Sequence, residues 1–496
     1  MSARTSPIGS SSGEPAPGPV ADEGSDRPRP SSADFREAVA FLSSTRRFGM
    51  NPSLEGIGRL ADALGKPQRR FVSLLVAGTN GKSSTARMLA ALLHSEGFSV
   101  GLYTSPGLVD YRDRFEIDGE VVDAASFVSA ARRVRDVAQA LDAACPADVA
   151  ATCAPHITEF REVVASSDAE VASFTEFELL TAMSFVLFSE ARVDFAVLEV
   201  GLGGRWDATN IVDEAVAVIC GIGLDHQAIL GETPEAIAAE KAAIIKPATS
   251  VVLGPATSEV QQVFLDRVEA CDAGLCVVSP CGNRLFPDVI PELTVTYEGV
   301  ATSDGLSFSV AGRHARYDGL VLPAAPSYQL ANAACAVAAA EGALGRALDA
   351  KSVREAFSSC TFPGRFTVLT DDPLLIVDGA HNPQGAAALA RAIDERFSGQ
   401  RRPVLLLAVL ADKDARGIVD ALAPHVADIV VTQTSSTRAR PCRELADLVE
   451  SRIGHRPAVY ASVTDAVDAL VVKGDGTPVV AAGSITLAAE LTRLFG

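Results

Sequence analysis

The chain has 496 residues, enough for two or three domains of about 150 residues each, and 48% of them are hydrophobic, enough for sizeable cores. Its 43 Lys plus Arg against 62 Asp plus Glu give a net charge of −19, which argues against a general nucleic-acid surface. No apolar run reaches the roughly 18 residues of a membrane span, and nine cysteines without a secretory leader are expected to be reduced thiols of a cytoplasmic protein.

Residues 1–33, rich in Ser, Pro, Gly and charge, cannot bury enough surface to offset their ordering entropy and are expected to form a disordered tail. From about residue 71 strand and helix alternate. "RRFVSLLVAG" predicts a buried strand. "SSTARMLAALLHSEG" predicts a helix, with Met88, Leu89, Leu92 and Leu93 apolar and Gly97 at its end. "FSVGLYTS", "VDFAVLEVG" and "EAVAVICGIG" are further strands, the last two apolar throughout, as in a parallel sheet covered on both faces. Residues 140–172 read as an Ala- and acid-rich helical insert. Cys271, Cys276 and Cys281 lack a CxxC pair or nearby His and are expected to be packing residues.

Between 292 and 324 the pattern alternates and turns at Gly, predicting antiparallel hairpins, and the helix "YQLANAACAVAAAEGAL" follows. "CTFPGRF" then breaks the pattern as a linker. A second alternating series carries the strands "PLLIVDGA", "PVLLLAVL", "DIVVTQT", "PAVYA" and "PVVAAG". The expected fold class is α/β, with a parallel sheet plus a small antiparallel sheet over 34–360, then a smaller Rossmann-like domain over 361–496.

The segment "LLVAGTNGKSSTARMLAALL" lies between strand and helix, the context of a phosphate loop, although Val76 stands where that pattern has its first Gly. Gly78 and Gly81 permit tight turns that aim amides and a helix N-terminus at an anion. Lys82 supplies charge for β- and γ-phosphates, and Ser83 or Ser84 a hydroxyl. Glu199 closes one apolar strand, and Asp225 and His226 follow the next, where ligands gather in parallel sheets. Carboxylates beside a phosphate loop suit Mg²⁺. Lys241, in the apolar helix "PEAIAAEKAAIIKP", reads either as a snorkelling lysine or as a lysine near the metal.

Taken in order, "RFGMNPSLEGIGRLADALGKPQRRF", "AGTNGKSS", "YTSPGL", "FTEFELLTAMSF", "EVGLGGRWDATN", "GLDH", "EKAAIIKP", "YQLANAA", "FPGRF", "DGAHNPQG", "LADKD" and "GSITLAAEL" resemble the folylpolyglutamate synthase/dihydrofolate synthase family of the Mur ligase superfamily over roughly residues 36–496. The resemblance implies a P-loop ATPase domain of Mur ligase type and a Mur-type C-terminal domain. It also implies that ATP activates a folate carboxylate as an acyl phosphate and that L-glutamate displaces phosphate to form an amide. Thr79, Asn80, Gly81, Lys82 and Ser83 would then hold ATP phosphates, with Asn332, Arg365, Asp378 and His381 completing the nucleotide site. Ser105, Glu199 and His226 match magnesium ligands, and Lys241 matches a lysine carbamylated in the family. Lys82, Glu199, His226 and Lys241 form the implied catalytic set. Lys413 is similar to a lysine directed at the incoming amino acid. Thr175, Glu176, Phe177 and Glu178, with Trp206, Asp207 and Ala208, resemble pterin-contacting segments. Small-molecule substrates (dihydropteroate or reduced folate, glutamate and ATP), no nucleic-acid or membrane partner and a monomer are the accompanying expectations.

The chain departs from the pattern at Gly107, where SPHL reads "SPGL", at Tyr328, where a histidine is usual, and at Ala243. These changes bear on substrate preference. A Mur-family ligase with another acid or amino acid, and a binder of folate or nucleotide without ligase activity, are the alternative readings.

Overall fold

The computed structural model describes residues 31–48, 52–143, 174–302, 305–472 and 475–495. Residues 1–30 of the expected tail and 144–172 of the insert lie outside them. Ser31 caps the helix Ser32–Ser44, so regular structure begins inside the stretch read as tail. Residues 140–143 complete the helix Ala124–Ala143.

The first unit is built on strands β1 (Val72–Ala77), β2 (Val100–Tyr103), β3 (Phe115–Ile117), β4 (Glu120–Val121), β5 (Phe195–Glu199), β6 (Glu214–Gly221), β7 (Ser250–Ala256), β8 (Gly274–Pro280), β9 (Thr294–Thr302), β10 (Gly305–Ala311) and β11 (Arg316–Pro323). They form one sheet in the order β11-β10-β9-β8-β7-β6-β1-β5-β2-β3-β4. β1 is central and parallel to both β5 and β6. The expected hairpins β9–β10–β11 are antiparallel to each other, but β9 pairs in parallel with β8, so they continue the large sheet. β7 and β8 are two parallel strands that the pattern did not single out. Both are short apolar runs, which periodicity alone cannot assign.

Successive side chains of a strand point to opposite faces. Leu75, Ala77, Ala196 and Leu198 therefore enter one core, while Leu74, Val76, Phe195 and Val197 enter the other. The helix Glu176–Ala191 fills the first core; the helices Lys82–Ser95 and Gln329–Leu344 fill the second. The latter helix is Ala-rich, which lets it lie close on the sheet, and its residues Ala333 to Ala340 are all buried. Slipping β1 by one residue would exchange the two apolar sets, so burial locks the register.

The second unit carries β12 (Thr367–Asp371), β13 (Leu374–Val377), β14 (Val404–Leu407), β15 (Asp428–Val431), β16 (Ala458–Val459) and β17 (Val479–Ala482) in the order β12-β13-β17-β14-β15-β16. All pairs are parallel except β12–β13. The same alternation divides Leu405 and Leu407 from Leu406. The "CTFPGRF" segment lies between the helix Ala350–Ser359 and β12, at the junction of the two sheets. All seven cysteines of the described residues are free. Cys271 and Cys276 are buried as expected, but Cys281 is exposed and therefore is not a packing residue.

Candidate active site

β1, β5, β6 and β2 end together, and their following loops gather over one cavity of about 520 Å³. Gly81 caps the phosphate-loop helix at φ 87°, and a Cβ there would lie 2.5 Å from Asn332 Oδ1. Only glycine meets both conditions. Thr79 closes the loop onto the β6 exit, donating its amide to Gly221 O at 2.9 Å and its hydroxyl to Gly223 O at 3.0 Å. Lys82 folds back, with Nζ 3.0 Å from Gly78 O and 3.2 Å from Thr79 O. Gln329 donates to Ser84 Oγ at 3.1 Å. Ser83, which lines the cavity with Ser84, donates to Glu199 Oε1 at 2.9 Å.

Glu199 is 1% exposed. Its Oε2 accepts the Ser105 amide at 3.0 Å. Burial raises its pKa, while the Lys82 charge and the bonds from Ser105 and Ser83 oppose that rise. Lys241, in the last turn of the helix Pro234–Ala242, is 4% exposed and lines the same cavity. Burial, and then the Lys82 charge, push its amine down to about 7. The lysine is therefore buried at the cavity and does not snorkel to solvent.

The second unit closes the cavity. Lys413, after β14, donates to Asp225 Oδ1 at 2.5 Å and approaches His226 Nε2 at 3.4 Å. His381 Nε2 lies 3.3 Å from Asp225 Oδ2, and Asn382 donates to the same oxygen at 3.2 Å. Burial works against the Asp225 charge, yet the bonds from His381 and Lys413 outweigh it and hold the carboxyl well below its usual range. Burial pushes the His226 imidazole down to about 4, against the pull of Asp225. Asn80 donates to Gln384 Oε1 at 2.9 Å, which ties the phosphate loop itself to the second unit. Asp378 accepts the Tyr328 hydroxyl at 2.7 Å and the Phe366 and Ala380 amides at 2.9 and 2.8 Å. Tyr328 thus spans the two units at the position where the sequence departs from its family pattern.

The cavity brings together most of the expected residues: Thr79 to Ser83, Ser105, Glu199, His226, Lys241, Asn332, Arg365, Asp378 and His381 all line it. The expected substrate residues do not. Thr175 and Glu178 form a reciprocal capping box at the start of the helix Glu176–Ala191. Asp207 caps the turn Ala208–Ile211 and accepts the Leu202 amide at 2.9 Å, and Ala208 is buried. The polar side chains of Thr175, Glu178 and Asp207 are engaged in holding helix and loop ends in place. Glu176 is bonded by Arg46 and Tyr111, Phe177 packs near Gly201, and Trp206 is 47% exposed. Lys413 stands behind Asp225. Asp225 was singled out at its strand end but given no role in the expected set, and Asn382 and Gln384 were missing from it, although "DGAHNPQG" carries them.

A phosphate loop over a buried strand-end carboxylate, closed by loops of a second α/β unit, defines an ATP-dependent ligase of the Mur type. Residues 364–485 match the family described as Mur ligase, glutamate ligase domain. The chain is 34% identical over 472 residues to the dihydrofolate synthase/folylpolyglutamate synthase of Mycobacterium tuberculosis, spanning 90% of this chain and 91% of that protein. The solved Mycobacterium tuberculosis folylpolyglutamate synthase complexed with ADP superposes with a TM-score of 0.81 at 32% identity, over 94% of this chain and 98% of that one. Escherichia coli FolC in complex with DHPP and ADP superposes at 0.75 with 27% identity, over 93% and 97%. The chain belongs to the folylpolyglutamate synthase/dihydrofolate synthase family.

Proposed function

We infer that the enzyme joins L-glutamate to dihydropteroate, to tetrahydrofolate and its polyglutamates, or to both, with ATP as the energy source. The observation that carries this reading is the convergence of Lys82 and Glu199 from the first unit with Arg365 and Asp378 from the second on one cavity. A domain boundary near 360, separating 34–360 from 361–496, belongs to the same reading.

A carboxylate oxygen of the pteroate attacks the γ-phosphorus, and the bond to the ADP oxygen breaks. The glutamate nitrogen then attacks the acyl carbon and loses a proton, and inorganic phosphate leaves. Lys82 and Arg365 neutralise charge on the transferring phosphoryl group. The loop amides of Thr79 to Gly81 and the helix N-terminus hold its neighbours. Asn332, Asp378 and His381 orient the nucleotide. Lys413, held by Asp225, presents a cation toward the incoming amino acid. Contact between the units keeps water from the acyl phosphate. Glu176, Phe177 and Trp206 border the acceptor, with Thr175, Glu178, Asp207 and Ala208 as their scaffold.

Mg²⁺ fits the donors present. No group of three or more His, Cys, Asp or Glu side chains among the described residues is arranged to hold a metal. Mg²⁺ keeps several waters and takes phosphate oxygens, so it needs few protein groups. Glu199 with Ser105, and His226 as a neutral imidazole, would hold it, and it would supply charge neutralisation at the phosphates. Lys241 fits carbamylation. Its amine is neutral enough near pH 7 to attack CO₂, and the product is a carboxylate suited to a second cation. A monomer belongs to the same reading. No helix among the described residues is long and apolar enough to cross a membrane; a cytoplasmic site of action belongs to the same reading. Retention of the full set speaks for ligation over mere binding.

The deciding experiment is mass analysis of products with dihydropteroate or tetrahydrofolate as acceptor. A gain of one glutamate residue on either, with matching ADP, is the expected result. ADP release without any glutamylated product would refute the reading.

A further inference from the structure

The loop that leaves β2 touches both halves of the phosphate site. Its Ser105 amide is bonded to Glu199. Three residues on, Leu108 lies against Gly364, which sits at φ +69°. A Cβ at Gly364 would lie 3.2 Å from Leu108 Cδ1 and 3.6 Å from Ala488 Cβ. Leu108 packs there on the second unit's core of Leu375, Val377 and Leu487. The next carbonyl, Val109 O, accepts Nε and Nη2 of Arg493 at 3.2 and 2.5 Å. Arg493 belongs to the helix Ile485–Phe495, the last of the chain.

The loop is stiff. Asp113 accepts the Val109 and Asp110 amides at 2.6 and 3.0 Å. Gly107 permits its path, because a Cβ there would collide with the Asp110 carbonyl oxygen. Gly364 is followed directly by Arg365, which lines the cavity and whose guanidinium lies against Gly379. A short path therefore runs from Glu199 through Ser105 and Leu108 to Gly364 and Arg365.

We propose that Leu108, seated on Gly364 and fastened by Arg493, is a positioning residue that sets Arg365 relative to Glu199 for phosphoryl transfer. The inference rests on the ligase reading above. An apolar side chain in a shaped seat fixes separation, and the Arg493 bonds stop the loop from sliding. Phosphoryl transfer depends almost wholly on such placement, and a misplacement of about 1 Å can cost about 100-fold in rate.

Steady-state ADP release, ADP affinity by calorimetry and thermal melting of Leu108→Ala, Leu108→Met, Arg493→Ala and Arg493→Lys test it. Leu108→Ala is expected to lower kcat about tenfold, leaving the KM for acceptor and glutamate within about twofold, with Met restoring most of the rate. Arg493→Ala is expected to act in the same direction by about threefold, and Lys to restore part of it. A folded Leu108→Ala enzyme with kcat within about twofold of the parent overturns the proposal. So does a loss in which both KM values rise with kcat and Met restores nothing. Should Leu108→Ala fail to fold, unchanged kcat in Arg493→Ala overturns it. A parent enzyme that releases no ADP with any acceptor instead removes the ligase reading, and this inference with it.

Discussion

Lys82 donates to carbonyls of its own loop, which are weak partners for an ammonium compared with a phosphate. Replacing Lys82 by Ala should lower amide formation by at least about 1000-fold in a folded enzyme, measured as glutamylated product. Glu199→Ala should do the same, and its residual rate should lose most of its dependence on added Mg²⁺. Near-parental turnover in either variant would remove the assigned role. Lys241 makes a separate prediction. With CO₂ stripped from the buffer, activity should fall, and bicarbonate should restore it in the parent but not in Lys241→Ala. An unmodified amine at Lys241 in a fully active enzyme, read from intact mass and a density map, would count against the carbamate. Lys82 and Glu199 were legible in the sequence because one follows a Gly-rich turn and the other ends a strand, whereas Lys241 lies in a helix and was marked out by the family resemblance. Asp225 was visible after a strand end, but its importance was not. Its partners Lys413, His381 and Asn382 lie more than 150 residues away in the chain.

The helix Glu176–Ala191 starts with a string that carries two readings. Its start, "FTEFE", matches a substrate-contacting string, yet Thr175 Oγ1 accepts the Glu178 amide at 3.2 Å while Glu178 Oε2 accepts the Thr175 amide at 2.8 Å. Such a box satisfies two helix-end donors, and losing an N-cap threonine costs about 1 kcal/mol. Thr175→Ala should therefore lower the melting temperature while changing the acceptor KM by less than about twofold. A large rise in acceptor KM at unchanged stability would return Thr175 to the substrate site. The sequence carried the S/T-x-x-E signature, and the contacts show the capping box it predicts. β7 and β8 are the complementary case. They are fully built into the sheet, but their short apolar runs carry no period of their own.

At the scale of the whole molecule, the Lys413–Asp225 pair joins the units, with side chains 8% and 10% exposed. A pair so sheltered is costly to break from one side, because the remaining charge is left without its partner. Asp225→Ala and Lys413→Ala should each reduce turnover sharply. In a double-mutant cycle the two losses should overlap, with a coupling of roughly 1–3 kcal/mol in transition-state free energy. Strict additivity would show that the two side chains act independently. The net charge of −19 means that anionic substrates enter a molecule that repels them except where Lys82 and Arg365 line the cavity.

The sequence by itself determined the two alternating α/β series, the break at "CTFPGRF", the phosphate loop and the acids at the strand ends. Those features are written in local period and composition, which nearby residues impose on the backbone. Tertiary structure alone decided which unit reaches which: Tyr328 to Asp378, Lys413 to Asp225, Leu108 to Gly364. It also decided which polar groups would be engaged by the scaffold, as Thr175 and Asp207 are. Such pairings arise when distant segments are buried against one another, and no local pattern encodes them.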